Sequence, residues 1–298
     1  MSTRSLPAET RLGRVTLTVS DLDAVLPFYR DVVGLRVHER GDGRAVLGNG
    51  ADAVADGDSA GAPVAAPLLV LEEDPDAAPR PPNAAGLFHT AFLFPSRRAL
   101  GDALARIRDV GARLTGASDH RVSEALYLRD PEGNGVELYR DRPREEWPEA
   151  DGEVRMDTLP LDVDALLADR AGDADAAGDP APAGMTVGHV HLEVTDLGAA
   201  EAFYVDAAGF DVRQRWESDA LFVAAGGYHH HVGLNTWNRR SEPASGRGLA
   251  EFAVVVPDGD TLEAVRQSLV DIGVEVIDDA NGLVAVSPDD IHVRFVIA

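Results

Sequence analysis

The sequence predicts an α+β fold made of four copies of one strand–helix–strand–strand–strand (βαβββ) module. The copies cover residues 11–73, 86–140, 186–238 and 248–298. Two internal repeats indicate the copies, and alternating apolar residues indicate the strands within them. A single module leaves one face of its sheet bare, so the modules are expected to combine in pairs that bury this face.

The first repeat relates module 1 to module 3. Residues 15–29 match residues 190–204 at an offset of 175 without a gap, and both segments begin with the alternating apolar residues of a strand. Asp21 and Asp196 follow these strands, where a side-chain oxygen can accept a free backbone N–H at the start of a helix. Both residues are therefore predicted helix N-caps.

The second repeat relates module 2 to module 4. Residues 86–95 match residues 248–257 at an offset of 162, and residues 130–137 match residues 287–294 at an offset of 157. The two repeats together give four modules with one order of elements. Residues 50–67, which are rich in Ala, Gly and Asp, fall outside the repeated pattern.

The modules form two groups along the chain, 11–140 and 186–298, joined by a predicted linker at 141–185. Residues 171–182 of this linker contain only Asp, Ala, Gly and Pro, a composition typical of flexible connections. Residues 162–169 are a candidate for a short helix within the linker.

The composition predicts an acidic protein without disulfides or thiolate metal sites. The 298 residues include 51 Asp and Glu, 27 basic residues that are all arginine, and no cysteine. The net charge of −24 repels nucleic acids, so a DNA- or RNA-binding role is not expected. Two interpretations of the charge stay open: halophilic adaptation to high salt, which we favour, and an ordinary acidic protein from a GC-rich genome.

Hydropathy predicts neither a membrane span nor a signal peptide. The chain has no run of 18 or more apolar residues, and no apolar stretch follows Met1. We therefore expect a cytoplasmic protein. Because cysteine is absent, a bound metal would be held by histidine and carboxylate, which suits iron, manganese, nickel or zinc.

The module pattern resembles the vicinal oxygen chelate superfamily, which includes glyoxalase I, bleomycin-resistance proteins and extradiol dioxygenases. The resemblance covers nearly the whole chain and rests on the repeated strand–helix segments. It implies two barrels, each formed by two modules that curl their sheets around a shared cavity. It also implies that metal ligands come from the first strand and the last strand of a module.

These implied positions hold His89, Glu137 and His189. His189 lies seven residues before the N-cap Asp196, His89 has the equivalent place in module 2, and Glu137 lies on the last strand of module 2. Two histidines and one carboxylate are the ligand set of non-heme Fe(II) oxygenases, and Mn(II) is the alternative metal. His191 lies on the same strand face as His189 and becomes the ligand if the register slips by two.

Modules 1 and 4 offer Arg14, Glu251 and Arg294 at the same three places. Two cations and one anion are better suited to a salt bridge than to a metal. The three ligands of modules 2 and 3 meet only if module 2 pairs with module 3 and module 1 pairs with module 4. We therefore favour this crossed pairing, 2+3 and 1+4, over sequential pairing, which would divide the ligands between two barrels.

Two further segments resemble extradiol dioxygenases, close to their bacterial catechol-2,3-dioxygenase branch. Residues 226–235 are similar to the strand that carries a catalytic acid–base histidine, and the register indicates His230. Residues 119–133 are similar to the segment in which a His and a Tyr flank the substrate, which implies His120 and Tyr127. Because strand neighbours alternate in direction, at most two of the three adjacent histidines are expected to face the cavity.

The resemblance implies an extradiol ring-cleaving dioxygenase that uses Fe(II) and O2 to convert catechol, or a substituted catechol, to a muconic semialdehyde. His230 would accept a catechol proton and return it, because an imidazole titrates near neutrality. His120 and Tyr127 would hold the oxygens of the substrate. The expected partners are a small aromatic diol and O2, and a homo-oligomer stays open.

Two alternatives remain. A glyoxalase-type isomerase or thiol transferase with Ni or Zn usually needs a fourth protein ligand, often Glu, but residues 229–235 on the last strand of module 3 contain no carboxylate. A non-catalytic drug-binding protein with a metal-free cavity would lack ligands, as modules 1 and 4 do. Modules 2 and 3 keep theirs, which favours the dioxygenase.

Overall fold

The structure, a computed structural model, describes most of the chain. The described residues are 5–50, 67–150, 153–170, 182–280 and 282–298. Most of the two Ala-, Gly- and Asp-rich stretches, 50–67 and 171–182, lies outside the described residues. The expectation of a flexible connection at 171–182 therefore stays a prediction.

The first part of the chain follows the predicted order, with one helix after the first strand of each module. Module 1 contains β1 (Arg11–Val19), α1 (Leu22–Pro27), β2 (Arg36–Gly41), β3 (Arg44–Gly48) and β4 (Pro67–Glu73). Module 2 contains β5 (Gly86–Leu93), α2 (Arg97–Asp109), β6 (Gly116–Asp119), β7 (Ser123–Arg129) and β8 (Gly135–Asp141). The segment after module 2 contains β9 (Glu149–Ala150), β10 (Glu153–Val154), β11 (Leu159–Pro160) and α3 (Val163–Ala168).

The second part of the chain repeats this order. Module 3 contains β12 (Thr186–Glu193), α4 (Leu197–Glu201), β13 (Asp211–Trp216), β14 (Ala220–Ala224) and β15 (Val232–Asn235). Module 4 contains β16 (Gly248–Val256), α5 (Gly259–Asp271), β17 (Val276–Asp279), β18 (Gly282–Val286) and β19 (His292–Ile297). The predicted α+β fold of four βαβββ modules is confirmed.

The helices α1 and α4 begin where the sequence predicts. The Asp21 carboxylate accepts a hydrogen bond from the Ala24 N–H at 2.9 Å, and Asp196 accepts one from the Ala199 N–H at 2.7 Å. Both predicted N-caps are confirmed, since each carboxylate satisfies a backbone N–H that has no partner within the helix. Each helix continues into a short π-helical segment, at Phe28–Val33 and Ala202–Ala207.

Two sheets carry the modules. The nine-stranded sheet has the order β11-β6-β7-β8-β5-β12-β15-β14-β13, and the eight-stranded sheet has the order β17-β18-β19-β16-β1-β4-β3-β2. Module 2 therefore shares a sheet with module 3, and module 1 shares a sheet with module 4. The first strands of the partner modules, β5 with β12 and β1 with β16, run antiparallel at the centre of each sheet.

Part of the predicted linker is ordered against the nine-stranded sheet. β11 pairs with β6 and forms one edge of the sheet, and the Met156 N–H donates to the side-chain oxygen of Gln214 on β13, the other edge, at 2.8 Å. The helix α3 confirms the short helix expected at 162–169, and it begins at the N-cap Asp162. Residues 153–160 thus join the two edges of the sheet and form a strap.

The main apolar core includes buried residues from all four modules and from α3. Large fully buried side chains come from both halves, among them Phe92, Phe210, Phe252 and Phe295. Among the described residues, no helix is both long and apolar enough to cross a membrane.

Candidate metal centre

The nine-stranded sheet surrounds a cavity of about 440 Å³. Its walls include Gly116 and Ser118 on β6, next to one edge of the sheet, and Trp216 on β13 at the other edge. Strands from opposite sides of the sheet can line one cavity only if the sheet curls, as the predicted barrel of two modules requires. The volume lies within the range of small-molecule sites.

His89, Glu137 and His189 meet at the wall of this cavity. They lie on the neighbouring strands β5, β8 and β12, and all three side chains are buried. Glu137 Oε2 is 2.9 Å from His89 Nε2 and 3.2 Å from His189 Nε2, and the two Nε2 atoms are 3.3 Å apart. The three residues that the sequence predicts as metal ligands are therefore brought together.

This arrangement fits a metal ion held on one face. Nitrogen and oxygen ligands lie about 2.1 Å from a first-row metal, so two ligands at right angles are about 3.0 Å apart. The three separations, from 2.9 to 3.3 Å, are close to this value. Within the part of the chain that the structure describes, these are the three residues grouped closely enough to hold an ion. Two imidazoles and one carboxylate suit Fe(II) or Mn(II).

The electrostatics of the group favour the deprotonated ligands that a cation needs. Burial lowers the pKa of His189 to about 4. Burial alone would raise the pKa of Glu137, but the imidazoles of His189 and His89 hold it well below its ordinary value. A carboxylate beside the unprotonated imidazole of His189 carries the negative charge that attracts a divalent cation.

His120 and Tyr127 lie together on the same cavity wall. The Nδ1 of His120 is 2.6 Å from the carbonyl oxygen of Asp157 in the strap, so Nδ1–H donates to this oxygen. The Nε2 of His120 is 2.6 Å from the Tyr127 hydroxyl. Burial, followed by the charge of Glu137, raises the pKa of Tyr127 well above its ordinary value. The phenol therefore stays protonated and donates its hydrogen to the Nε2 of a neutral His120.

The three adjacent histidines differ in position, and one of them lines the cavity. His230 lies on the wall, with its ring centre 4.1 Å from that of His189, whereas His229 is fully buried behind it. His231 accepts a hydrogen bond from the Ala225 N–H at its Nδ1. Burial, with the nearby His189 and His229, lowers the pKa of His230 well below its ordinary value.

The expectation that these histidines lie on a strand is wrong. Gly226 and Gly227 have φ angles of 60° and 69°, in the left-handed region that favours glycine, and they turn the chain. Strand β15 begins only at Val232, so the histidines lie in the preceding loop. Strand alternation therefore does not decide which of them faces the cavity.

His191, the alternative ligand, is instead a wall residue. It pairs with His89 across β12 and β5, and its ring packs against Phe88, Trp237 and Phe222. Glu137 approaches His189 and not His191.

Other cavity residues are absent from the sequence prediction. They include Phe88, Met156, Thr158, Trp216, Phe222 and Trp237. Trp216 and Phe222 lie on predicted strands, where apolar alternation could have indicated them. Met156 and Thr158 lie in the strap, which has no periodic pattern to reveal them.

In the other half, the equivalent positions form an ion cluster. Arg294 Nε donates to Glu251 Oε1 at 2.8 Å, and Arg294 Nη1 donates to Asp279 at 2.8 Å. Arg14 Nη2 lies 3.8 Å from the same Glu251 oxygen. The predicted salt bridge between modules 1 and 4 is confirmed.

Comparison with known proteins identifies the family. A model described as "Glyoxalase/Bleomycin resistance protein/Dioxygenase superfamily" matches residues 11–138 and 186–281. The chain belongs to this superfamily. This membership confirms the resemblance inferred from the repeated modules.

Curated relatives within the superfamily include ring-cleaving enzymes. Catechol-2,3-dioxygenase of Bacillus subtilis (strain 168) is 39% identical over 300 residues, which is 98% of this chain and 99% of that protein. Biphenyl-2,3-diol 1,2-dioxygenase 3 of Rhodococcus globerulus is 45% identical over 62 residues, 21% of this chain and 33% of that protein.

Solved structures share the fold at low identity. Glyoxalase I from Zea mays aligns with a TM-score of 0.56 and 17% identity, over 97% of this chain and 92% of that chain. A putative dioxygenase from Bacillus subtilis aligns with a TM-score of 0.62 and 13% identity, over 99% and 86% of the two chains. At these identities the similarity describes the fold alone.

Proposed function

We propose that this protein is an extradiol ring-cleaving dioxygenase that acts on catechol or a substituted catechol. The observation that carries the proposal is one cavity that contains the His89–Glu137–His189 group and, around it, His120, Tyr127 and His230. The identity of 39% to a catechol-2,3-dioxygenase over 98% of this chain supports it. The reaction inserts both atoms of O2 into the ring and gives a muconic semialdehyde.

In this proposal Fe(II), with Mn(II) as the alternative, binds His89 Nε2, His189 Nε2 and the Glu137 carboxylate. When bound, the ion would lower the pKa of the catechol and supply the charge that brings the diol and O2 together. The carboxylate compensates one of the two positive charges. The neighbouring strands β8, β5 and β12 hold the three ligands in register, so binding requires little rearrangement.

The other residues of the cavity bind the substrate and move protons. His230 is the candidate to accept a proton from a catechol hydroxyl and to return it later, since its ring faces the cavity beside His189. His120 and Tyr127 would hold a substrate oxygen: the Tyr127 hydroxyl donates to His120 Nε2, so its oxygen is left to accept a hydrogen bond from a catechol hydroxyl. Each of these roles needs contact within hydrogen-bonding distance of the bound diol.

The cavity walls favour an apolar aromatic substrate. Phe88, Trp216, Phe222 and Trp237 surround the space beside the metal ligands, and Met156 of the strap adds a further apolar side chain. These side chains exclude water and offer faces against which an aromatic ring can stack. The volume of about 440 Å³ leaves room for an apolar substituent on the catechol ring.

A glyoxalase-type isomerase is less well supported. The candidate ligand group has three members in the described part of the chain, whereas that reaction usually uses a fourth protein ligand. A metal-free binding protein would not need His89, Glu137 and His189 held within 3.3 Å of one another.

Oxygen uptake tests the proposed function. The protein is loaded anaerobically with Fe(II), its iron content is measured, and catechol and ring-substituted catechols are added under air. We expect one O2 consumed per catechol and a yellow product that absorbs in the visible range. Absence of oxygen uptake by iron-loaded protein, across a panel of catechols and hydroquinones, would overturn the proposal.

A further inference from the structure

A chain of hydrogen bonds lies behind the cavity wall and connects β8 to the histidine loop. Asp141, the last residue of β8, is contacted at both carboxylate oxygens: His229 Nε2 is 2.9 Å from Oδ1, and the Tyr228 hydroxyl is 2.9 Å from Oδ2. His229 Nδ1 is 2.8 Å from His230 Nδ1. The chain thus runs from Asp141 through His229 to His230, the residue that lines the cavity.

The chemistry of these groups gives the chain a direction. A carboxylate can only accept, so the Nε2 of His229 carries a hydrogen and donates it to Asp141. A neutral imidazole has one N–H, so the Nδ1 of His229 then has a lone pair and accepts from His230. The hydrogen of a neutral His230 therefore lies on Nδ1, and its Nε2 is unprotonated.

Nothing described in the protein competes for this nitrogen. His230 makes no second hydrogen bond among the described residues, and its side chain lines the cavity. Its Nε2 is therefore the ring atom left for a substrate. An unprotonated nitrogen can accept a proton, whereas an N–H at the same place can only donate.

Neighbouring side chains hold these hydrogen-bonded residues in place. Tyr139 donates to the Tyr228 hydroxyl at 2.8 Å, because that hydroxyl already donates to Asp141. Arg144 Nη2 donates to the carbonyls of Gly226 and Gly227, and so fastens the histidine loop to the segment after β8. The ring of Trp147 packs against that of His229, with centres 5.2 Å apart. His229 is fully buried and cannot turn without breaking these contacts.

We propose that Asp141 and His229 are positioning residues that keep the proton of His230 on Nδ1 and present its Nε2 to the substrate as a base. The consequence for catalysis rests on the proposed function of His230. The placement of the proton does not rest on that function, because it follows from the hydrogen bonds between the Asp141 carboxylate and two neutral imidazoles. Neither Asp141 nor His229 lines the cavity, and neither contacts the atoms of the three candidate ligands that would bind the metal.

The proton positions can be observed directly by 15N NMR of the histidine rings. The full-length protein is loaded with Zn(II), a diamagnetic ion that accepts histidine and carboxylate ligands. We expect His230 to show a protonated Nδ1 and an unprotonated Nε2, and His229 to show a protonated Nε2. A proton on Nε2 of His230 would overturn the inference.

Two substitutions each remove a different hydrogen bond of this series. Asp141→Ala removes the acceptor of His229, and His229→Phe removes the acceptor of His230 while keeping a ring against Trp147. In both variants we expect His230 to populate both neutral tautomers, with the proton on Nδ1 in one and on Nε2 in the other. The matched control is Tyr228→Phe, which removes the bond to the other oxygen of Asp141 and should leave the proton on Nδ1. If either variant kept the wild-type proton position on His230, the inference would fail.

Kinetics of the Fe(II) enzyme give the second readout. We expect Asp141→Ala and His229→Phe to lower kcat by about 10- to 100-fold, as loss of supporting hydrogen bonds typically does, with little change in KM for the catechol. An unchanged kcat in both folded variants would contradict the positioning role. If the wild-type protein consumed no O2 while the NMR result held, the proposed function would fail and the proton placement would stand.

Discussion

Each half of the molecule is a pair of modules, and each half has three side chains at positions related by the internal repeats. The two sets of side chains differ in their chemistry. In the half formed by modules 2 and 3 these are His89, Glu137 and His189. In the half formed by modules 1 and 4 they are Arg14, Glu251 and Arg294. The fold therefore determines where the three side chains meet, and the residue types determine what they can bind.

The two sets of side chains differ in whether their nitrogen atoms have lone pairs that a cation can use. Arg14 and Arg294 carry only hydrogen-bond donors, so they neutralise Glu251 and leave no atom for a cation. Arg294 also binds Asp279, which completes the ion cluster within the protein. Imidazole nitrogens beside Glu137 keep lone pairs that converge on one point. One half thus has a salt bridge complete within the protein, and the other has the group that we propose as the metal site.

The strongest test of this comparison removes the carboxylate from each half. Glu137→Gln eliminates the anionic ligand, so we expect loss of bound iron and a decrease in oxygen uptake of more than about 100-fold, beyond the effect typical of supporting residues. The control Glu251→Gln should retain iron and near-wild-type turnover. Iron analysis and an oxygen electrode measure both. Equal loss in the two variants would mean that the halves are not chemically distinct.

A second test adds one methyl group at equivalent positions of β12 and β1. A Cβ on Gly188 would lie 1.8 Å from the Tyr139 hydroxyl, whereas a Cβ on Gly13 would lie 3.0 Å from the Ala253 Cβ. We expect Gly188→Ala to lower the free energy of unfolding by about 3 kcal/mol and Gly13→Ala by about 1 kcal/mol. Urea denaturation provides the values. A larger cost at Gly13 would contradict the predicted order.

The pH dependence of stability should also differ between the halves. In the metal-free protein the folded pKa of His189 is about 4, below the ordinary value of about 6.5 in the unfolded chain. The unfolded state therefore binds more protons as the pH falls below about 6.5. This group should lower stability by about 2 kcal/mol between pH 7 and pH 5, and the loss should level off below about pH 4.

His189→Gln isolates that contribution. We expect the decrease in the free energy of unfolding from pH 7 to pH 5, measured in urea without metal, to be smaller in the variant than in the wild type. Arg14, at the equivalent position, does not titrate in this range, so Arg14→Gln should leave the decrease unchanged. Identical slopes in the wild type and His189→Gln would contradict the lowered pKa.

The smallest expected effect concerns the ion pair between Arg14 and Glu251. Arg14 is 37% exposed and lies 3.8 Å from Glu251, a distance at which a solvated ion pair contributes little. We expect Arg14→Gln to cost less than about 1 kcal/mol of unfolding free energy, and the cost to decrease further in high salt. A cost above about 2 kcal/mol would indicate that Arg14 is a structural requirement of this half.

The features that the sequence predicts are those with a repeat or a spacing behind them. The four modules, the N-caps Asp21 and Asp196 and the ion cluster around Glu251 follow from matching positions in two copies. The position of His230 on the cavity wall follows from local similarity. Each depends on information within one module or on an alignment between modules.

The features that the sequence does not predict arise from contacts between distant segments. The strap at 153–160 consists of two-residue strands without periodicity, and Gln214, 58 residues after Met156, holds it in place. The pairing of Asp141 with His229 joins residues 88 positions apart. The loop that contains His229 depends on two glycines with positive φ angles, which break the strand pattern.

The most direct test of the central claim is anomalous diffraction at the iron edge, from crystals grown anaerobically with Fe(II). We expect one strong peak about 2.1 Å from His89 Nε2, His189 Nε2 and a Glu137 oxygen, and no peak at Glu251 in the other half. A peak at the histidine loop or at Glu251, or no peak in crystals of protein that turns over catechol, would contradict the account.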